Sequence, residues 1–159
     1  MKKLKLYLDT SVISHLKQDD VPDKMADTLQ LWEEIKAGLY EVVISNITIT
    51  EIMDSPIDKR ITMLEYLALI TYNVIDINDE MRYYASKLNE TGILSDKHYD
   101  DCLHIACAVI CDCDYLLSWN FKHIVKVKTI NGVRSINATL GYKGIDIFPP
   151  NLLIKGDDE

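Results

Sequence analysis

Glycine, proline and internal repeats are scarce in this sequence of 159 residues, which contains 6 glycines and 4 prolines. Flexible linkers and tandem arrays are built from glycine-rich tracts, proline-rich tracts or repeats, and the sequence has none of these. A chain of this length can bury about two thirds of its unfolded surface in a single core. We therefore expect one domain over residues 1–154, followed by an acidic, disordered tail over residues 155–159.

Long apolar runs are also missing. The longest uncharged apolar segment near a predicted helix, residues 105–111, is far short of the roughly 20 residues that cross a bilayer. At the start of the chain, Lys5 and Asp9 interrupt the apolar run that a signal peptide requires. We therefore expect a cytoplasmic protein that does not enter a membrane.

The sequence has little positive charge: 17 Lys and Arg stand against 25 Asp and Glu, so the net charge is −8. This is the wrong sign for binding nucleic acid by bulk electrostatics, because phosphate binding relies on Lys and Arg. If the substrate is a nucleic acid, bound divalent cations or a partner chain must offset the acidity.

Cysteines are confined to one short stretch, at Cys102, Cys107, Cys111 and Cys113. In a cytosolic chain this distribution favours buried, reduced thiols over a disulfide framework. As an alternative, His104, Cys107 and Cys111 have the helical spacing of three zinc ligands. Because no fourth ligand follows at a familiar spacing, we favour core residues over a zinc site.

Strands and helices alternate along the chain. Leu4–Leu8 is predicted to be a buried strand that ends at Asp9. Further strands are predicted at residues 40–44, 74–77 with Asp76 inside, 115–118 and, as a short final segment, 145–149. Helices are predicted at residues 12–17, 22–37, 46–53, 56–67, 79–89, 98–111 and in a last stretch before the final strand. This alternation predicts an α/β fold with a mostly parallel sheet covered on both faces.

Acidic residues are predicted to meet at one edge of this sheet, since ligands gather beyond the carboxyl ends of parallel strands. Asp9 follows a buried strand, where a carboxylate is costly unless it caps a helix, is paired or binds a cation. Glu51 and Asp101 lie in otherwise apolar segments that are predicted to pack on the same sheet. Converging carboxylates repel one another unless a divalent cation lies among them. Mg²⁺ or Mn²⁺ would suit such a cluster and could activate a water against a phosphodiester, with one or two ions both possible.

Four segments between residues 4 and 124 form an ordered set of motifs. They are Leu6-Tyr7-Leu8-Asp9-Thr10-Ser11-Val12-Ile13, Ile49-Thr50-Glu51-Ile52, Asp101-Cys102-Leu103-His104-Ile105-Ala106 and Asp114-Tyr115-Leu116-Leu117-Ser118-Trp119-Asn120-Phe121. In order and spacing they resemble the four motifs of PIN domains. The resemblance implies a three-layer α/β/α fold and a metal-dependent ribonuclease. Among short bacterial members it also implies the VapC-type toxin of a toxin–antitoxin pair, with a cognate antitoxin and a homodimer.

By this resemblance, Asp9, Glu51 and Asp101 are the catalytic, metal-binding acids, and Thr10 and Ser118 support them. The family usually has an Asp at the fourth position, where this chain has Asn120, which offers only an amide oxygen. The resemblance therefore implies weaker metal binding, unless Asp114 or a water compensates.

Asp100 adjoins Asp101, and helical periodicity does not decide which of the two faces inward; the resemblance selects Asp101. The main basic run, Lys122, His123 and Lys126 with Lys128, is typical of a solvated surface. Its place directly after the fourth motif also makes it the candidate for RNA backbone contact.

Two alternatives belong to other classes. A strand-ending Asp is also typical of haloacid-dehalogenase-type phosphatases, but these need a second Asp two residues later, where this chain has Ser11. A PIN-fold module that binds RNA or protein with weakened catalysis would account for Asn120. Retention of three costly acids argues against that module.

Overall fold

The computed structural model describes residues 2–155, which contain a five-stranded sheet in the order β3-β2-β1-β4-β5. The strands are β1 (Leu4–Leu8), β2 (Tyr40–Ser45), β3 (Asn73–Ile75), β4 (Tyr115–Leu117) and β5 (Asp146–Phe148). Every neighbouring pair is parallel, as the alternation of strands and helices predicts.

Helices connect the strands and pack on both faces of the sheet. They are α1 (Thr10–Ser14), α2 (Pro22–Lys36), α3 (Asn46–Met53), α4 (Ile57–Leu67), α5 (Asp79–Glu90), α6 (Tyr99–Ile110) and α7 (Val127–Leu140). Short 3₁₀ turns follow α1, precede α6 and follow β5.

Two hydrophobic cores lie on opposite faces of the sheet. Leu6 and Leu8 of β1 pack with residues of α1, α2 and α4, whereas Tyr7 between them packs with residues of α5, α6 and α7. Successive strand side chains point to opposite faces, so a central strand buried on both faces needs an unbroken apolar run. The result is the expected three-layer α/β/α arrangement.

Two predicted elements, the third strand and the first helix, differ from the structure by more than one residue at a boundary. The third strand covers residues 73–75 rather than 74–77, so Asp76 lies outside it. Its partner β2 ends at Ser45, and beyond the strand Ile77 N–H donates to the side chain of Asn46. The first helix begins at Thr10 rather than residue 12, because the carboxylate of Asp9 caps it by accepting from Ser11 N–H.

The strand order places a topological switch point between β1 and β4. The chain proceeds from β1 to β2 and β3 on one side, then crosses to β4 on the other side of β1. In open parallel sheets, ligands bind beyond the carboxyl ends of the strands at such a point. Asp9 and Ser118 directly follow these two strands.

The end of the chain was predicted to be a tail from residue 155. The backbone N–H of Lys155 donates to Glu34 Oε2 at 3.0 Å, so this residue remains attached to α2. Residues 156–159, the rest of the predicted tail, lie outside the described residues. Between residues 2 and 155, none of the helices has the length and apolarity needed to cross a bilayer.

Candidate active site

Asp9 is buried at the switch point, with only 4% of its surface exposed. Its Oδ2 accepts a hydrogen bond from Ser118 Oγ at 2.8 Å, and its Oδ1 accepts from Ser11 N at 3.1 Å and Ser11 Oγ at 2.5 Å. Burial raises the pKa of Asp9, although the nearby His104 and the bonds from both serines oppose the shift. The carboxylate of Asp9 therefore both caps α1 and contributes to the site at the carboxyl ends of β1 and β4.

Glu51 reaches the same edge from α3. Its Oε1 accepts from Thr10 Oγ1 at 2.8 Å and lies 2.5 Å from Nε2 of the buried His104. Burial alone would raise the pKa of Glu51, but the hydrogen bond and charge of His104, together with the Thr10 bond, lower it overall. Glu51 is thus held in its charged form beside Thr10, the residue that follows Asp9.

Asp101 lies in the first turn of α6 and is half-buried, whereas its neighbour Asp100 is exposed. Its Oδ2 is 3.5 Å from Asn120 Nδ2 and 4.0 Å from His98 Nδ1. Burial raises the pKa of Asp101, the charge of Glu51 adds to that rise, and His104 and His123 oppose it. Compared with Asp9, Asp101 receives few hydrogen bonds to compensate for its burial.

The three acids are linked by short connections through the site. Ser118 Oγ, which donates to Asp9, accepts the backbone N–H of Asn120 at 2.9 Å, and the Asn120 side chain faces Asp101. From Asp101, one turn of α6 leads to His104, which contacts Glu51. Glu51 in turn is bound by Thr10, the residue after Asp9. The structure therefore brings Asp9, Glu51 and Asp101 together with Thr10, Ser118 and Asn120.

The chemistry of these side chains suits a hard divalent cation. Glu51 Oε2 and Asp101 Oδ1 accept no hydrogen bond from residues 2–155, and Asp9 Oδ2 accepts only one, so each acid keeps a free lone pair. Over the same residues, no group of three or more His, Cys, Asp or Glu side chains is arranged to hold a metal ion on its own. Mg²⁺ keeps several waters and is usually held by one or two carboxylates, so an open group of acids fits it better than a cage does.

The two alternatives for a fourth ligand have other roles. Asn120 Oδ1 accepts the backbone N–H of His123 at 2.9 Å and so fixes the turn after β4. Asp114 precedes β4 and lies at the amino ends of the strands. There it accepts from Lys5 N at 2.8 Å and pairs with Lys143 at 3.1 Å. Asp114 therefore cannot compensate for Asn120, because the length of β4 separates it from the acids.

His104 belongs to the site, although the sequence pattern indicates it only as a core residue or a zinc ligand. Both of its ring nitrogens are engaged, by Glu51 and by the Tyr7 hydroxyl at 2.7 Å, which argues against the zinc site. Burial lowers the pKa of His104, but Glu51, Asp9 and Asp101 raise it overall. Helical spacing contained the signal, because His104 follows Asp101 by three residues and shares its face.

A basic and aromatic rim borders the acids. Lys122 and Lys126 are exposed, and the ring of the half-buried His123 stacks on that of His98, with centroids 3.5 Å apart. Lys24 Nζ lies 5.0 Å from the ring centroid of the exposed Phe121, which belongs to the same turn after β4. Positive groups are therefore present around this turn, despite the net negative charge of the chain.

Comparisons with known proteins agree with the fold. No protein-family model matches the sequence, and no curated protein does either. Among solved structures, the chain is similar to one in VapBC2 from Rickettsia felis bound to a DNA fragment from their promoter. The identity is 19%, the match covers 77% of this chain and 92% of that chain, and the TM-score is 0.54. This likeness confirms the three-layer PIN-like fold with a parallel central sheet.

Proposed function

We propose that this chain, which has the PIN-like fold, is a Mg²⁺- or Mn²⁺-dependent endoribonuclease and the toxin of a toxin–antitoxin pair. The observation that carries the proposal is the meeting of Asp9, Glu51 and Asp101 at the switch point of the sheet. Maintaining such acids is costly in a protein without a cation to bind, because burial disfavours their charged forms. A divalent cation removes that cost and is the usual catalyst of phosphodiester hydrolysis.

The side chains have separate roles in this proposal. Asp9, Glu51 and Asp101 would hold the cation, and a cation bound there would supply an activated water and offset charge on the phosphate. Thr10 and Ser118 orient Glu51 and Asp9 through hydrogen bonds of 2.8 Å each. Asn120 has no charge to contribute, so it acts by fixing the turn beside Asp101.

Metal binding is the first test, through thermal unfolding of the protein with and without Mn²⁺ or Mg²⁺. A cation at 100 times its dissociation constant stabilises the folded state by about 2.7 kcal/mol. For a chain of this size we expect the melting temperature to rise by roughly 5–10 °C.

General screening of an acidic protein would also raise the melting temperature, so NaCl at matched ionic strength is the control. The rise should be mostly lost in Asp9→Asn, which removes one charged ligand. If Mn²⁺ has no more effect than NaCl, the cation site is refuted. The alternative of a catalytically weakened module that binds RNA or protein is then preferred.

RNA contact through the basic rim is the second test. We expect the double variant Lys122→Ala/Lys126→Ala to bind single-stranded RNA more weakly and with less dependence on salt. Removing one lysine–phosphate interaction reduces the slope of log affinity against log salt by about 0.7, so removing two reduces it by about 1.4. The measurement is RNA affinity of the metal-bound protein across a salt series.

The matched control is Lys3→Ala/Lys36→Ala, which removes two lysines near the amino ends of the strands. Lys36 ends α2 just before β2 begins, and Lys3 Nζ lies close to Gly38 in the same region. Both double variants remove the same amount of positive charge. If they weaken RNA binding equally, the effect is one of bulk charge and Lys122 and Lys126 do not bind the RNA directly.

Partners and location complete the proposal. One solved structure to which this chain is similar is that of VapBC2, which supports a cognate antitoxin as the protein partner. We also propose a homodimer and a cytoplasmic location. A neighbouring reading frame that encodes a small protein with a DNA-binding head would support the toxin role directly.

A further inference from the structure

A buried hydrogen-bonded path runs from the core to the acidic site. His104, which is 1% exposed, lies with Nε2 2.5 Å from Glu51 Oε1 and Nδ1 2.7 Å from the Tyr7 hydroxyl. The Tyr7 hydroxyl donates to Ser45 Oγ at 2.8 Å, and Ser45 caps α3, the helix that carries Glu51. The path therefore fixes both the helix and the side chain of Glu51.

The direction of the bond to Glu51 follows from the chemistry of the two groups. A carboxylate only accepts hydrogen bonds, so His104 Nε2 must donate. Glu51 Oε1 then receives two donors, His104 and Thr10, whereas Oε2 accepts none from the described part of the chain. One oxygen is held by the protein, and the other remains for a ligand.

The hydrogen bonds from His104 and Thr10 restrict the rotamers of the Glu51 side chain. Glu51 is only partly buried, with 35% of its side chain exposed, and packing alone does not hold a long acidic side chain in one rotamer. The ring of His104 is itself held edge-on against Tyr7, with centroids 5.7 Å apart and an interplanar angle of 61°. Residues that orient a ligand in this way commonly change metal affinity about 10- to 100-fold.

We propose that His104, fixed by Tyr7, is a positioning residue that holds Glu51 in the conformation that binds the cation. The proposal rests on the proposed function, because it concerns the same cation site. It adds two residues outside the group of acids, and neither of them touches substrate or metal.

The test measures Mn²⁺ affinity by calorimetry in the absence of RNA, together with the melting temperature of each variant. We expect His104→Ala to weaken Mn²⁺ binding about 10- to 100-fold and Tyr7→Phe to weaken it toward the lower end of that range. The matched control is Tyr84→Phe, which removes another fully buried hydroxyl, bonded to Asn137 at 2.6 Å within the α5–α7 core. It should lower stability but leave Mn²⁺ affinity unchanged.

Wild-type Mn²⁺ affinity in a folded His104→Ala protein overturns the positioning role. If that variant does not fold, Tyr7→Phe decides in its place, with the same criterion. Equal weakening in Tyr84→Phe also overturns the role, because the loss then follows from general destabilisation. Failure of the wild-type protein to bind Mn²⁺ is a distinct result, since it refutes the proposed function and the positioning role with it.

Discussion

In the variant Asp101→Asn, we expect metal-dependent RNA cleavage to fall about 1,000-fold while the fold is retained. A bound cation supplies several kcal/mol of transition-state stabilisation, and a loss of about 4 kcal/mol corresponds to that factor. Asp101 Oδ2 has only distant polar neighbours, at 3.5 and 4.0 Å, so an amide replaces the carboxylate with little loss of hydrogen bonding. Cleavage assays of the folded variant with Mn²⁺ measure the effect.

The same variant should melt at a higher temperature than the wild type when no metal is present. Burial raises the pKa of Asp101 above its value in the unfolded chain, so its ionised form opposes folding at neutral pH. This cost disappears at low pH, where the carboxyl group is protonated in both the folded and the unfolded state. The difference between variant and wild type should therefore be present at neutral pH and close as the pH falls toward the ordinary carboxyl range.

Asp100→Asn is the matched control, because it removes the same charge from the adjacent, exposed position. It should leave cleavage, Mn²⁺ binding and the melting temperature close to those of the wild type. If Asp101→Asn cleaves RNA as fast as Asp100→Asn does, Asp101 is not part of the catalytic site.

Local sequence signals were sufficient for most of the fold. Residues 4–8 form an apolar run that ends at Asp9, and the segment 46–53 was predicted as a helix with the boundaries found. These elements are defined by hydrophobic spacing and by caps, which act within a few residues. The boundaries that failed, at Asp76 and at the start of α1, depend instead on a partner strand and on a side-chain cap.

The acidic site was only partly predictable. The order of strands and helices places Asp9 and residues 118–120 at one edge, because parallel strands share the direction of their carboxyl ends. The choice of Asp101 over Asp100 needed the resemblance to PIN domains, since the helix is apolar on several sides. The structure now separates them, with Asp101 half-buried and Asp100 exposed.

Connections across the sheet could not be predicted from local patterns. The bonds from His104 to Tyr7 and to Glu51 join residues that are 97 and 53 positions apart. Similarly, Asp114 is close to Asn120 in sequence, but β4 lies between them. Asp114 is therefore at the amino end of this strand and Asn120 follows its carboxyl end. Long-range geometry of this kind depends on the packed fold as a whole.

The largest loss of stability is expected for Trp32→Ala. Trp32 of α2 is 1% exposed and packs in the core that α1, α2 and α4 form on one face of the sheet. Its Nε1 donates to the backbone oxygen of Tyr66 in α4 at 2.9 Å. Truncation removes most of a large buried ring, so we expect the free energy of unfolding to fall by about 3–5 kcal/mol.

For a chain of this size, that loss lowers the melting temperature by roughly 6–20 °C. Trp32→Phe keeps a ring but leaves the Tyr66 backbone oxygen without this donor, so it should cost about 1–3 kcal/mol. Leu152→Ala is the control, because Leu152 is 68% exposed and its truncation should change stability by less than about 0.5 kcal/mol. Chemical denaturation measures all three.

Mn²⁺ affinity should distinguish the loss of stability in the Trp32 variants from the loss of metal binding in the site variants. Trp32 makes no hydrogen bond to the three acids, so Trp32→Phe should bind Mn²⁺ as the wild type does while it unfolds more easily. A core variant with reduced metal affinity would mean that packing on this face controls the geometry of Asp9, through α1, as strongly as the hydrogen bonds do. Unchanged affinity would mean that the geometry of Asp9 is controlled by its hydrogen bonds from Ser11 and Ser118, at the carboxyl ends of β1 and β4.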